Sequence, residues 1–168
     1  VETAVKNGVE VFRVFDALND TRNMKASFDA IKKQKAHIQG CISYAVTPVH
    51  TIEKYAELAK ELEKMGADSI CIKDMSGLLK PYIAEELVKA IKQKTSLPLS
   101  VHSHSTTGMS VATLIKAIEA GADMIDTAIS PLSMGTSHSP TESIVEILKN
   151  TPFDTELDLA LLSEIAEY

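Results

Sequence analysis

The chain has no surplus of cations. Its 17 lysines and arginines face 23 acidic residues, leaving a net charge of −6, and no basic cluster carries interleaved aromatics. That balance argues against general nucleic-acid binding. No apolar run approaches the roughly 18 residues that a membrane-spanning helix needs, and no signal peptide is visible. Cysteine is scarce: only Cys41 and Cys71 occur, each inside an apolar, strand-like run. Such placement suits reduced, buried thiols of a cytoplasmic protein, and the spacing matches no zinc motif. An initiator methionine is also missing. The opening "VETAVKNGVEVF" reads as the middle of an amphipathic helix, which predicts a segment of a longer chain.

What the chain does have is a rhythm. Strand-like "GVEVFRVFDA", "HIQGCISYAV", "ADSICIKDMS", "LPLSVHSH" and "ADMIDTAI" alternate with stretches of helical periodicity. These are "TRNMKASFDAIKKQKA", "TIEKYAELAKELEKMG", "KPYIAEELVKAIKQKT", "MSVATLIKAIEAG" and "SPTESIVEILKN". Gly66 and Gly121 end two of the helices, Pro81 sits in the first turn of a third, and Ser139, Pro140 and Glu142 open the last. The unit recurs every ~30 residues, the size of a βαβ element. Five such units predict a parallel sheet with outer helices.

A doubly wound nucleotide-binding sheet would carry a glycine-rich turn after a strand. The turns here read "DALND", "TPVHT", "DMSGLLKP", "SHSTTG" and "ISPLSMGTSHSP" instead. Polar loops after every strand are where a (β/α)₈ barrel keeps its active site. A whole barrel takes ~250 residues, so the expected fold is a partial (β/α)₈ TIM barrel of α/β class, about strands four to eight. Residues 1–154 would form it, and 155–168 an extra amphipathic helix, a cap or the start of the next domain.

The strand ends hold the candidate chemistry. His102 and His104 lie two apart and so share one face of a strand. They are half of a metal site, or hydrogen-bonded histidines at a strand end. Lys73 closes "SICIKD" on the preceding strand. It is either held by Asp74 or another carboxylate, or reactive: a Schiff-base lysine, or one carboxylated by carbon dioxide into an anionic ligand. Thr136 and Ser137 either cap a helix or place a proton-relaying hydroxyl at the barrel mouth. Arg13, near Asp16 at the first strand's end, either grips a substrate carboxylate by its planar fork or makes a structural ion pair.

Taken together, "VFRVFDALND", "IKDMSG", "HSHSTTGM" and "DTAISPLSMGTSHSPTES" resemble the carboxyltransferase domain of biotin-dependent enzymes. Within that family they are most similar to the oxaloacetate decarboxylase α subunit, with pyruvate carboxylase and transcarboxylase as near relatives. The resemblance covers residues 8 to about 150. It implies a barrel holding a divalent metal, zinc by expectation, with carboxylated Lys73, His102 and His104 as ligands. It implies that Thr136 shuttles a proton between biotin and the enol of pyruvate, with Arg13 and Ser137 near substrate or biotin. The family's aspartate ligand, from an "RDxxQS"-type motif, has no match in these residues. Biotin would arrive on a separate domain or subunit. The implied partners are oxaloacetate or pyruvate, the biotin carrier domain, membrane decarboxylase subunits and further copies of the chain. A metal-dependent aldol or Claisen barrel of the isopropylmalate synthase or hydroxymethylglutaryl-CoA lyase kind is the second reading. Lys73 in "KDM" and Thr136 in "GTSHSP" weigh against it. A non-catalytic half-barrel is the third.

Overall fold

Strand and helix alternate as the periodicity predicts. The computed structural model describes all residues, Val1–Tyr168. A one-turn helix α1 (Glu2–Lys6) precedes β1 (Val11–Val14), α2 (Thr21–Gln34), β2 (His37–Ser43), α3 (Ile52–Met65), β3 (Ser69–Asp74) and α4 (Pro81–Lys94). β4 (Leu99–Ser103), α5 (Ser110–Glu119), β5 (Met124–Ile125), a 3₁₀ turn (Ser130–Leu132), α6 (Thr141–Leu148) and α7 (Leu159–Glu167) complete the chain. All neighbouring strands are parallel, in the order β1-β2-β3-β4-β5. The order never reverses. Right-handed crossovers then keep every connecting helix on one side, as in a barrel and unlike a doubly wound sheet.

The period-2 alternation of each strand divides the two faces. Ile38, Ile42, Ile70, Ile72, Leu99 and Val101 point to the helices and pack with Phe28, Leu62, Leu87, Val88, Ile91 and Leu114 into one core. The opposite face carries Arg13, Gln39, Cys41, Ser43, Cys71, Lys73, Ser100 and His102, in register across neighbouring strands. Cys41 and Cys71 are buried free thiols side by side on that face. Its polar upper rows run toward the strands' C-terminal ends.

Two aspartates repeat one device. In Gly66-Ala67-Asp68 and Gly121-Ala122-Asp123 the glycine takes a left-handed conformation just past a helix, with φ of 94° and 104°. The aspartate then binds the neighbouring strand twice. Asp68 donates its N–H to the Ile38 carbonyl at 2.8 Å, and its carboxylate accepts the Ile38 N–H at 2.8 Å. Asp123 does the same at Leu99, at 2.9 and 2.8 Å.

Three local expectations need correction. The stretch "ADMIDTAI" keeps strand geometry only over Met124–Ile125, where its pairing with β4 ends at Val101 and Ile125. Ser139 and Glu142 do not cap α6. The buried Ser139 hydroxyl pairs with Ser110 at 2.7 Å, and the Glu142 carboxylate accepts the Ser130 N–H at 3.0 Å. The last helix begins at Leu159 rather than Thr155, where the Asp158 side chain accepts the Ala160 and Leu161 N–H groups.

Candidate metal centre

His102 lies in β4 and His104 one residue past its end, so both rings leave the polar face at the sheet's C-terminal edge. Their centroids are 5.0 Å apart and their Nε2 atoms 3.1 Å apart. A third imidazole joins them. His138, from the loop before α6, stands 4.3 Å from His102 and 4.6 Å from His104 between centroids. One ring nitrogen of each lies within 4.8 Å of the other two.

The other ring nitrogens are all occupied by oxygen. His102 Nδ1 faces the Asp126 carboxylate at 2.6 Å, His104 Nδ1 the Thr136 carbonyl at 2.5 Å, and His138 Nδ1 the Ser103 carbonyl at 3.1 Å. Carbonyls and carboxylates only accept, so each Nδ1 carries the proton. In its neutral form each ring then keeps an Nε2 lone pair. At 3.1 Å the His102 and His104 Nε2 atoms are close enough to share a proton or a metal cation. Oxygen partners behind ring N–H groups are also how metal-ligating histidines are oriented. The residues present therefore fit a divalent metal. Burial, with the two neighbouring imidazoles, pushes His138 below the ordinary histidine range, although its bond to Ser103 opposes the shift.

Asp126 does two jobs. It orients His102 and pairs with the Arg13 guanidinium through both oxygens, one at 2.8 Å. Burial alone would raise its carboxyl, but bonds from Arg13 and His102 outweigh that and hold it well below the carboxylate range. Arg13 also donates Nε to Gln39 Oε1 at 2.5 Å. Arg13 thus makes the structural ion pair with three of its five N–H groups, and the other two remain for a substrate carboxylate. Asp16 is occupied locally, accepting the Leu18 and Asp20 N–H groups and the Asn23 amide, each at 3.0 Å.

Lys73 stands beside His102 in the β3–β4 register. It is not held by Asp74, whose buried carboxylate turns the other way to accept Leu78 N–H, Leu79 N–H and the Ser103 hydroxyl. The Lys73 ammonium instead lies 2.9 Å from Met75 Sδ and 4.8 Å from the Phe15 ring centre, without a carboxylate. Thr136 and Ser137 reach the site by their main chains. The Ser137 carbonyl accepts the Ser105 N–H at 2.7 Å, tying the loop to the end of β4. The Thr136 hydroxyl is exposed and makes no hydrogen bond; its carbonyl holds His104.

The sequence reading missed His138 and Asp126. Both had a signal. Asp126 is two past Met124 and so shares its face, and any loop after a barrel strand opens on the common mouth.

Known proteins resemble this chain along nearly all its length. Residues 10–168 match the HMGL-like family. A pyruvate carboxylase subunit of Methanocaldococcus jannaschii is 60% identical over 98% of this chain, which spans 29% of that protein. The methylmalonyl-CoA carboxyltransferase 5S subunit of Propionibacterium freudenreichii subsp. shermanii is 51% identical, and the chain spans 34% of it. The carboxyl transferase domain of Rhizobium etli pyruvate carboxylase, solved with pyruvate, is 42% identical with a TM-score of 0.97. The match covers 99% of this chain and 29% of that one.

Proposed function

Because this chain belongs to the HMGL-like family, we propose that it is the late-strand part of a biotin-dependent carboxyltransferase barrel that moves a carboxyl group between biotin and pyruvate or oxaloacetate. The observation that carries this reading is the convergence of His102 and His104, lone pairs inward, at the C-terminal edge of a parallel sheet. The relatives are biotin-dependent carboxylases and carboxyltransferases, and those named above favour the pyruvate carboxylase type over the oxaloacetate decarboxylase type. Membrane decarboxylase subunits belong with the latter branch. No helix here is long and apolar enough to cross a membrane.

In this reading His102 and His104 hold a divalent metal, zinc by the preference of imidazole. Lys73, beside His102 and without a carboxylate partner, would join them once carboxylated. When bound, the metal supplies Lewis-acid stabilisation of negative charge on a substrate oxygen. Asp126 and the Thr136 carbonyl keep the two rings in the ligating tautomer. Arg13 neutralises Asp126, so the anchor stays ionised. A Thr136 hydroxyl relay has support only from its place at the mouth. Biotin would enter on its carrier domain. Residues 1–154 would be barrel, and α7 a cap or the start of the next domain.

Exchange of labelled carboxyl between oxaloacetate and biotin, measured on the natural protein that carries this chain, tests the proposal. Exchange should occur and should fall at least ~10²-fold in His102→Ala. Absence of exchange in the intact, metal-loaded protein would sink it.

A further inference from the structure

We propose that Gln39 is a positioning residue for the barrel mouth: from β2 it holds the Arg13 guanidinium, and through Arg13 it fixes the Asp126 carboxylate that orients His102. The inference rests on reading the mouth as a metal centre; the substrate is immaterial to it. Gln39 lies opposite Arg13 in the β1–β2 register and is buried. Its Oε1 accepts the Arg13 Nε–H at 2.5 Å. A guanidinium only donates, so the amide oxygen must face it and the amide nitrogen must turn away. That nitrogen donates to the buried Ser69 hydroxyl at 3.3 Å, in register on β3. The same hydroxyl meets His37 Nε2 at 2.7 Å, at the start of β2. One hydrogen-bonded line therefore runs from His37 through Ser69, Gln39, Arg13 and Asp126 to His102.

Arg13 needs such a hold. β1 and β5 are the two edges of the sheet, and a long, rotamer-rich side chain bridges them. Its two Nη groups meet both oxygens of Asp126. The Oδ2 that accepts from Nη1 also faces His102 Nδ1. Contact with Asp126 alone would leave the guanidinium plane free to turn about the axis of its fork. The Nε–H lies in that plane but points off the axis, so its bond to Gln39 stops the turn. Ser69 holds the Gln39 amide in its own plane in the same way. A guanidinium that swings takes Oδ2 with it, and with Oδ2 the bond that sets the His102 ring. Gln39 thus acts on His102 at two removes.

The test measures zinc affinity of the natural full-length protein by chelator competition, in a double-mutant cycle. Gln39→Leu keeps the bulk and removes the acceptor. It should weaken the site roughly 3–10-fold, less than the loss of a partner that touches the ligand itself. Gln39→Glu keeps an oxygen for the Arg13 Nε–H and should bind zinc like the wild type. In an Asp126→Ala background Gln39→Leu should cost nothing further, because its route to His102 is already gone. A merely structural role would show the same loss in both backgrounds. Should Gln39→Leu fail to fold, Gln39→Met is read in its place. Unchanged affinity in the folded Gln39 variant, or an equal loss with and without Asp126, overturns the proposal. Failure of carboxyl exchange with the coupling present would overturn the carboxyltransferase reading and leave this one standing.

Discussion

Asp126 and Thr136 show how much of the site depends on groups that are not candidate ligands. Asp126→Ala removes the anchor behind His102 and leaves Arg13 without its carboxylate. Metal affinity should fall 10–100-fold. Stability should fall by ~1–2 kcal/mol, less than for a fully buried pair because both side chains keep some solvent contact. Chelator competition and thermal melting measure the two effects separately; unchanged affinity would mean that His102 holds its orientation without Asp126. Thr136→Ala keeps the carbonyl that binds His104. Metal content should therefore stay unchanged, while loss of the proposed proton-relaying hydroxyl should lower turnover by ~10²–10⁴-fold. Turnover within a few fold of wild type would leave Thr136 with its carbonyl role alone.

At the scale of elements, the repeated glycine-alanine-aspartate junction sets where each strand begins. Asp123→Ala strips the Leu99 N–H, which opens a fully buried residue, of its side-chain acceptor. The cost should be ~1–3 kcal/mol in chemical denaturation. Burial alone would raise the Asp123 carboxyl, but Lys92 and the Leu99 N–H outweigh that and hold it below the ordinary range. A lowered folded value means that its stabilisation is complete above the unfolded value of ~3.9 and lost as the pH falls through the folded one. The wild type should accordingly lose more stability than Asp123→Asn on acidification below about pH 4. Parallel acid melts of the two proteins that fall together would refute this. Gly66→Ala puts a side chain at φ 94° and should cost ~1 kcal/mol or more.

For the whole molecule, the sheet is closed on its helix side and open on the other. β1 and β5 each have one partner, and Val11, Phe15 and Met124 at these edges are exposed. The chain spans about a third or less of these relatives. Expressed alone, the 168 residues should bind apolar dyes or self-associate, because unpaired edges and uncovered apolar groups recruit partners. A protein that carries these strands within a whole barrel should bind no such dye. A monomeric, dye-silent segment would show that this chain covers its own edges.

Periodicity alone determined the parallel α/β architecture, because alternation in strands and three-to-four spacing in helices are local consequences of backbone geometry. The shared face of His102 and His104 was legible for the same reason, as was the polar mouth from the loops. Tertiary structure decided the rest. That Arg13 pairs with Asp126, a residue 113 positions away, is not written in either stretch alone. That the Thr136 carbonyl reaches His104 depends on how the loop turns at Met134 and Gly135. His138 joins the cluster only because consecutive parallel strands bring their C-terminal loops to one edge. Spacing along the chain describes one strand face at a time; a site assembled across β1, β4, β5 and the loop before α6 exists only once the strands are aligned.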